Sequence, residues 1–303
     1  MIDPLAEVVS LLQPAARFSK SIVGAGPWQV SRSDAGEPFY CAVLEGGCHL
    51  ALDGAESIAL QAGDFVLIPA TQGIVMSSLQ PPADNAPSLP AALGNGMFRI
   101  GAQDGPTDLR IVAGHCSFGS PDASLLVPLL PQLIHVRDEP RLATLVQLVR
   151  DESLAQRPAR EVVLSRLLEV LLIEALRSTS GTGASPGLVR ALGDARLATA
   201  LRAMHARPDH PWTVRDLAGE AALSRSTFFE RFNRAMGIAP MEYLLAWRMA
   251  LAKDLLRRHA AGIAEVAQRV GYSSASTFSV AFARHVGLPP SRYARAGVVE
   301  AQV

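Results

Sequence analysis

Residues 225–233 carry charged, hydroxyl, amide and aromatic side chains at the spacing of one helix face. These side chains are Arg225, Ser226, Phe229, Glu230 and Asn233. Residues three and four apart lie on the same side of a helix, so the five would point the same way. Arginine pairs with guanine, glutamate accepts a hydrogen bond from cytosine, and an apolar group contacts the methyl group of thymine. The chemistry that this stretch offers is recognition of base edges.

The stretch belongs to a sequence repeat with an offset of 50 residues. The residues that recur, spread over 18 positions, include Ser226-Thr227-Phe228, Phe232, Gly237, Pro240 and Tyr243, which return as Ser276-Thr277-Phe278, Phe282, Gly287, Pro290 and Tyr293. A repeat of this period indicates one supersecondary unit used twice. The two phenylalanines of each copy are four residues apart and are predicted to pack inward.

The outward face of the second copy is smaller and less polar than that of the first. It carries Ala275, Ser276, Ser279 and Val280. The family resemblance given below implies that bases are read from these two outward faces, and on that basis we predict that the first copy discriminates between bases, whereas the second positions the protein through phosphates and DNA shape. Candidates for phosphate contact are the arginines on or near these helices, Arg225, Arg231, Arg234, Arg269 and Arg284.

Each copy has the signals of a helix-turn-helix unit. The units are predicted at residues 213–236 and 263–286, with Thr213 as the N-cap that opens the first and Gly271 as the left-handed turn residue of the second. A long helix from Pro240 to about residue 259 joins them. Such a spacer would hold the two reading helices roughly 34 Å apart, which is one turn of DNA.

Charge is unevenly distributed although the formal net charge is zero. Residues 1–187 contain 12 Lys and Arg against 19 Asp and Glu, whereas residues 188–303 contain 16 against 9. This asymmetry is expected when only one half faces an anion such as DNA, although two unrelated solvated surfaces would also produce it. The Gly- and Ser-rich stretch at 178–187 is predicted to be a flexible linker. We predict a sensor domain at 1–178, a linker at 179–189 and a DNA-binding domain at 190–303.

The region before the linker combines short strands with two helices. Strands are predicted at 39–44, 48–52, 57–60 and 64–68, with turns at 45–47, 53–54 and 61–64, which favours a small antiparallel barrel or sandwich. The proline-rich run from 81 to 90, and on to 96, is predicted to be a surface loop. Helices are predicted at 141–152 and 160–177. The second has apolar residues on two faces, and the surplus predicts a contact with another subunit, with burial inside the monomer as the alternative.

Residues Trp212 to Tyr293, with Trp247-Arg248-Met249 in the connecting helix, resemble the DNA-binding domain of the AraC/XylS family of transcription regulators. More loosely, the stretches 43–46 and 63–69 resemble the glycine turns of the cupin-type sensor found in that family. The resemblance implies an α+β chain of two domains, with an N-terminal cupin-like antiparallel β-barrel with helices and a C-terminal all-α domain of seven helices. It also implies a homodimer that binds double-stranded promoter DNA, works with RNA polymerase, and activates rather than represses.

The sensor half lacks the histidines that hold the metal in cupin enzymes. Phe39-Tyr40-Cys41 and Ile74 stand where those ligands would be, so we expect no metal, no cofactor and no enzymatic activity; a cupin metalloenzyme or ligand-binding protein fused to a DNA-binding domain is the alternative. His49 is predicted to be a satisfied or surface histidine, with ligand contact as the alternative.

The signal is predicted to be either a small-molecule effector in the mouth of the barrel or an oxidant at a cysteine. Cys41 and Cys48 would approach each other on neighbouring strands. His115 would lower the pKa of the neighbouring Cys116 thiol if their side chains meet. Buried, inert cysteines are the other option. The effector or redox candidates of this half are therefore Cys41, Cys48, His49, His115 and Cys116.

No membrane association is expected, because charged residues interrupt the longest apolar stretch, 162–176. The first residues lack the basic start and apolar core of a signal peptide, so the expected location is the cytoplasm.

Overall fold

The computed structural model describes residues 3–32, 36–52, 56–70, 73–83, 87–119, 123–155, 157–178, 187–258 and 261–300. Contacts divide the chain into two units. The barrel unit comprises Gln13–Ser120 and Pro131–Ser185, and the helical unit comprises Met1–Leu12, Pro121–Leu130 and Pro186–Val303. The division differs from the predicted boundary at two segments, because residues 3–12 and 123–130 pack with the helical unit.

The described residues form eleven strands, all in the barrel unit. They are β1 Pro14–Ala25, β2 Gln29–Arg32, β3 Phe39–Glu45, β4 Gly47–Leu52, β5 Ile58–Gln61, β6 Phe65–Ile68, β7 Ile74–Ser78, β8 Ala91–Gly94, β9 Met97–Gly101, β10 Leu109–Phe118 and β11 Ile134–Val136.

Twelve α-helices are described, and Val127–Leu129 forms a short 3₁₀ turn. The helices are α1 Pro4–Leu12, α2 Ala123–Leu126, α3 Pro140–Leu154, α4 Arg160–Ser178, α5 Leu188–Leu192, α6 Ala195–Ala206, α7 Val214–Glu220, α8 Arg225–Met236, α9 Pro240–Arg257, α10 Ile263–Arg269, α11 Ala275–Val286 and α12 Pro290–Glu300. None of these helices is long and apolar enough to cross a lipid bilayer.

The strands form a seven-stranded sheet in the order β11-β6-β3-β10-β1-β9-β8 and a four-stranded sheet in the order β2-β7-β4-β5. Every pairing is antiparallel except that of β1 with β9, which is parallel. Both sheets contribute to one apolar core, in which Phe39 and Ile111 of the larger sheet cluster with Leu50 and Met76 of the smaller one. The predicted β-rich N-terminal region is therefore confirmed as two sheets around one core, with one parallel pair that the sequence did not predict.

The four strands predicted from the sequence are present within one residue of their expected ends. The predicted loop at 81–96 is wrong in part, because Ala91–Gly94 forms β8 and pairs with β9. The turn at 45–47 is confirmed and depends on glycine: Gly46 has a φ of +75°, and a Cβ there would lie 1.9 Å from the carbonyl oxygen of Asp108. The predicted turn at 53–54 and most of the predicted linker lie outside the described residues.

Helices α3 and α4 pack on β1 of the large sheet, and both were predicted. One face of α4 is buried, through Leu164, Leu168, Leu171 and Leu172. Its second apolar stripe stays accessible in the single chain, with Val163 and Val170 each 40% exposed.

In the helical unit, helices α5 to α12 follow one another within residues 187–300. That is one segment more than the seven expected, and the shortest is the five-residue helix α5.

Candidate nucleic-acid interface

The first helix-turn-helix unit begins at a capping box. The Thr213 hydroxyl accepts a hydrogen bond from the backbone N–H of Asp216 at 3.2 Å, and the Asp216 carboxylate accepts one from the N–H of Thr213 at 2.9 Å. The Thr213 hydroxyl also donates to the Asp216 carboxylate at 2.7 Å, and this bond, together with the one from the Thr213 backbone N–H, lowers the pKa of Asp216. The cap predicted at Thr213 starts α7 as expected.

The turns of the two units share one geometry but differ in sequence. A backbone hydrogen bond of 2.9 Å runs from Leu223 N to Ala218 O, and its counterpart of 2.8 Å runs from Tyr272 N to Ala267 O. The left-handed position is Ala222 in the first turn, with a φ of +50°, and Gly271 in the second, with a φ of +81°. The corresponding turn residues of the two units are 49 positions apart, whereas the reading helices are 50 positions apart. The second unit therefore has one extra residue between its turn and its reading helix.

Both reading helices, α8 and α11, start with a serine cap. Ser224 Oγ accepts from the backbone N–H of Thr227 at 3.2 Å, and Ser274 Oγ accepts from that of Thr277 at 3.1 Å. The two serines are a further identity at the offset of 50, which the sequence analysis did not use. The cap extends the repeat to the N-terminus of each reading helix.

The paired phenylalanines form the core of each unit, as predicted. Phe228 and Phe232, like Phe278 and Phe282, are fully buried. A tyrosine completes each cluster edge-on: the ring centres of Phe232 and Tyr243 are 6.0 Å apart, and those of Phe282 and Tyr293 are 5.5 Å apart. This shared core turns the opposite face of each reading helix towards solvent.

The outward face of α8 is fully accessible. Its five predicted base-reading side chains are all exposed, and they are Arg225, Ser226, Phe229, Glu230 and Asn233. Phe229 is 43% exposed although it is aromatic, which is the placement needed for contact with a base edge rather than with the core.

The outward face of α11 has little free hydrogen-bonding capacity. The Ser279 hydroxyl donates to the carbonyl oxygen of Ala275 at 2.7 Å, and the Ser276 hydroxyl lies 3.0 Å from that of Ser274. Val280 is the most prominent side chain on this face, at 71% exposure. Ser226 on α8 makes the same contact, 3.2 Å from Ser224, so it is the engaged hydroxyl of Ser279 that makes the two reading faces more unequal than their residue types alone indicate.

The candidate phosphate-binding arginines fall into two groups. Arg231 is ion-paired with Asp194, and Arg269 is ion-paired with Glu265 on its own helix. Arg225, Arg234 and Arg284 are exposed and form no ion pair with any residue in the described ranges. Arg234 and Arg284 are also identical at the offset of 50, so each reading helix presents one unpaired cation at the same position.

Helix α9 connects the two helix-turn-helix units. It contains Trp247, Arg248 and Met249, the three residues named in the family resemblance. Trp247 stacks on His205 with ring centres 4.0 Å apart, and Met249 is buried in the core of the second unit. Arg248 donates hydrogen bonds of 2.7 Å to the carbonyl oxygens of Pro208 and His210. Burial lowers the pKa of this guanidinium. These contacts fix α9 against α6, the segment at 208–210 and the core of the second helix-turn-helix unit.

His205 is a residue that the sequence analysis missed. It is buried in the helical unit, where Nδ1 lies 2.6 Å from Glu7 Oε2 of α1 and Nε2 lies 2.7 Å from the Tyr243 hydroxyl. No sequence signal predicts this contact, because 198 residues separate Glu7 from His205.

The three cysteines of the barrel unit are all buried. Cys41 and Cys48 contribute to the same core, but they do not lie on neighbouring strands as predicted, because β3 and β4 belong to different sheets. Burial raises the pKa of all three thiols, to about 12 for Cys48 and Cys116. Reactive cysteines have lowered pKa values, so these environments favour the unreactive thiols.

The two candidate histidines do not form a site with the cysteines. His115 and Cys116 are consecutive on β10, so their side chains point to opposite faces of the sheet. His115 instead lies 5.2 Å from the ring centre of Phe39. His49 is half-buried on β4, on the face opposite the core residues Cys48 and Leu50. Among the described residues, no three His, Cys, Asp or Glu side chains group as metal ligands.

Comparison with known proteins agrees with this architecture. A family model described as "Cupin" matches residues 3–181, and one described as "Helix-turn-helix domain" matches residues 217–296. A Streptomyces lividans protein named as an AraC-like transcription regulator is 37% identical over 302 residues, which cover 96% of this chain and 98% of its own length.

The chain is also similar to a second transcriptional regulator and to a DNA-binding domain of known structure. The HTH-type transcriptional regulator AlkR of Acinetobacter baylyi is 31% identical over 265 residues, covering 83% of this chain and 85% of its own. The DNA-binding domain of AdpA, solved in complex with a target DNA, is 31% identical, covers 33% of this chain and 90% of its own, and has a TM-score of 0.31.

Two capped helix-turn-helix units with exposed reading faces define a transcription regulator that binds double-stranded DNA in a sequence-specific manner. The barrel unit adds the cupin region. With its family match and its relatives over nearly the full length, the chain belongs to the AraC family of transcription regulators.

Proposed function

We propose that this chain acts as a homodimeric activator in the cytoplasm. Residues 1–178 form the sensor and dimerisation domain, 179–189 the linker, and 190–303 the domain that binds promoter DNA and contacts RNA polymerase. A signal in the sensor shifts the population towards the arrangement of DNA-binding domains that fits the half-sites. We base the assignment as a homodimeric activator on analogy with the family to which the chain belongs.

Base discrimination by α8 is the central element of this proposal. The observation that carries it is the inequality of the reading faces, since α8 exposes Arg225, Glu230 and Asn233 whereas the hydroxyls of α11 are engaged by neighbouring groups. Helix α11 then contributes through Val280 and through phosphate contacts.

Selection of binding sites from a randomised DNA pool tests this assignment. Glu230→Ala is expected to relax the consensus at one position, whereas Ser279→Ala is expected to leave the consensus unchanged. Affinity measured on the parental site separates a change of preference from a general loss of binding. A relaxed consensus with Ser279→Ala and an unchanged one with Glu230→Ala contradicts the assignment.

Dimerisation through α4 is proposed because its second apolar stripe is uncovered in the single chain. Val163 and Val170 lie seven residues apart on one face of the helix and are each 40% exposed, and an exposed apolar stripe on a helix favours pairing with a second copy. The double substitution Val163→Glu and Val170→Glu is expected to give a monomer in analytical ultracentrifugation. Leu148→Glu is the matched control, because Leu148 is similarly exposed on α3. A dimer that survives the double substitution rules out this interface.

A small molecule is favoured over an oxidant as the signal. Burial and raised pKa values leave the three thiols poor nucleophiles, which argues against direct oxidation. A triple Cys→Ser variant is expected to retain a full transcriptional response in a reporter assay. Loss of the response, with DNA binding intact, would instead support thiol sensing.

A further inference from the structure

A shallow groove of about 950 Å³ lies between α9 and α11 of the helical unit. Ser276 and Val280 line it, and both are also base-reading candidates of α11. The groove is open to solvent and is not an enclosed cavity, which suits a chain that passes along it better than a small ligand. It therefore opens at the edge of the face that meets DNA.

The lining of the groove combines an apolar side with a positive charge. Leu245 of α9 contributes to the apolar side together with Val280 and Ala281 of α11, and Arg284 supplies the charge. Arg284 is exposed and has no ion-pair partner within the part of the chain that the structure describes. The backbone of DNA has the complementary surface, because its deoxyribose carbons are apolar and its phosphates are anionic.

Tyr272 adds a hydroxyl donor to the same groove. Its ring packs edge-on against the buried Phe278, with the ring centres 5.6 Å apart, so the ring is held by the core of the second helix-turn-helix unit. The side chain is only partly buried and lines the groove. No hydrogen bond joins its hydroxyl to another of the described residues. A fixed ring with an unused hydroxyl is a preorganised donor for a ligand.

The hydroxyl of Tyr272 keeps its proton near neutral pH. Burial raises the pKa of Tyr272, although the positive charge of Arg248 acts in the opposite direction. A neutral phenol donates one hydrogen bond, and an anionic phosphate oxygen is a strong acceptor. The charge of Arg248 also favours an anion in these surroundings.

The first helix-turn-helix unit lacks this donor. Leu223 corresponds to Tyr272, because each donates the backbone hydrogen bond that closes its turn. Arg234 and Arg284, in contrast, are identical at the offset of 50. The second unit therefore has one more group suited to the DNA backbone, although its reading helix has fewer groups suited to bases.

We infer that the groove binds one segment of the DNA backbone, and that the Tyr272 hydroxyl donates a hydrogen bond to a phosphate that also contacts Arg284. The inference rests on the proposed role of α11 in phosphate contact. Because phosphates carry no sequence information, Tyr272 fixes the register of the second unit on DNA without selecting bases.

Fluorescence-anisotropy titrations of full-length Tyr272→Phe measure the contribution of the hydroxyl. The substitution removes one oxygen and keeps the ring on Phe278. We expect binding to be about tenfold weaker, both on a duplex selected from a randomised pool and on a duplex of unrelated sequence, because a hydrogen bond to a charged group is lost. The slope of log K against log salt is expected to stay at the wild-type value, since no charge is removed.

The matched control is Tyr293→Phe. Tyr293 packs on Phe282 as Tyr272 packs on Phe278, with ring centres 5.5 Å apart, but it belongs to α12. This variant is expected to bind both duplexes with wild-type affinity. An unchanged thermal midpoint for Tyr272→Phe would show that its weaker binding does not come from unfolding.

Single methylphosphonate linkages in the selected duplex identify the phosphate. Each linkage removes the charge of one phosphate, and every duplex is titrated with wild type, Tyr272→Phe and Arg284→Gln. At one position in the half-site read by α11, we expect the linkage to weaken wild type by at least about fivefold more than it weakens either variant, because each variant has already lost its contact with that phosphate.

The outcomes distinguish this inference from the proposed function. Coupling of Tyr272 and Arg284 to one phosphate supports the groove as a backbone site. If linkages in that half-site weaken wild type but none is coupled to Tyr272, the inference is wrong and the phosphate role of α11 stands. If no linkage there affects wild type, both fail. Wild-type DNA affinity of Tyr272→Phe, with transcription lost in a reporter assay, would overturn the inference and assign the groove to a protein partner.

Discussion

Glu7 Oε2 of α1 lies 2.6 Å from Nδ1 of the buried His205 on α6. An ionised carboxylate only accepts hydrogen bonds, so Nδ1 carries the proton and Nε2 accepts from the Tyr243 hydroxyl at 2.7 Å. Both ring nitrogens are satisfied by a neutral imidazole. The chain Glu7–His205–Tyr243 joins the N-terminal helix to the tyrosine that closes the core of the first helix-turn-helix unit.

Removal of the Glu7 carboxylate is expected to destabilise the helical unit. In Glu7→Ala the buried N–H of His205 loses its acceptor, which costs about 1–3 kcal/mol. Hydrogen exchange on amides of α6, followed by mass spectrometry of the full chain, measures this cost. Glu7→Gln retains an acceptor oxygen and is expected to lose less. Equal protection of α6 in wild type and Glu7→Ala would show that the hydrogen bond contributes nothing.

The same histidine predicts a stability that falls in mild acid. Burial lowers the pKa of His205, and the opposing effects of Glu7 and Asp3 do not compensate. In the unfolded chain, the His205 side chain is therefore protonated once the pH falls below the ordinary histidine pKa of about 6.5. In the folded chain, the same side chain stays neutral until the pH falls below its lowered pKa. Stability contributed by the neutral form is complete above about pH 6.5 and is lost as the pH falls below it.

Urea titrations of wild type and His205→Gln at pH 7.5 and 5.5 test this dependence. The helical unit of wild type is expected to lose more stability between the two values than that of the variant, because only wild type carries the titrating group. Tyr243 does not titrate in this range, since burial raises its pKa. The same pH dependence in both proteins would assign the effect to other groups.

Arginines without ion pairs are expected to carry the phosphate contacts. Arg234→Gln and Arg284→Gln should each weaken DNA binding on all sequences and lower the slope of log K against log salt by about 0.9. Arg269→Gln is the control with the same charge change, because Arg269 is already paired with Glu265. Binding titrations over a range of salt concentrations provide both quantities. A larger slope change in the control than in Arg234→Gln would reverse the assignment.

The two turns predict opposite effects of exchanging alanine and glycine. Ala222 has a φ of +50°, so Ala222→Gly relieves strain and should stabilise its unit by about 0.5 kcal/mol after the entropy of glycine is counted. At Gly271, a Cβ would lie 2.6 Å from the Arg248 guanidinium, and Gly271→Ala should destabilise by at least about 1 kcal/mol. Hydrogen exchange in α8 and α11 reports each unit separately. Effects of the same sign in both turns would contradict this account of the backbone.

Local patterns in the sequence predicted four of the eleven described strands, β3 to β6, and seven of the twelve described helices, α3, α4 and α7 to α11. The phenylalanine pairs gave the inward faces of α8 and α11, and alternation with glycine turns gave β3 to β6. Helix α9 was expected from Pro240, and its observed end at Arg257 lies close to the predicted one. Each of these signals lies within a few residues along the chain, where helix and strand periodicity act.

Long-range pairing explains the predictions that were wrong. Strand β8 has no alternating pattern and exists because β9 provides its hydrogen-bonding partner. Cys41 and Cys48 were expected on adjacent strands, but the turn at Gly46 sends β3 and β4 into different sheets.

Substitution of every operator base pair, one half-site at a time, tests most directly that α8 discriminates between bases and α11 does not. The half-site read by α8 is the one whose sensitivity changes in Glu230→Ala. We predict losses of about 1–3 kcal/mol per base pair at several of its positions, and losses clearly smaller at every position of the half-site read by α11. Equal losses in the two half-sites would contradict the account.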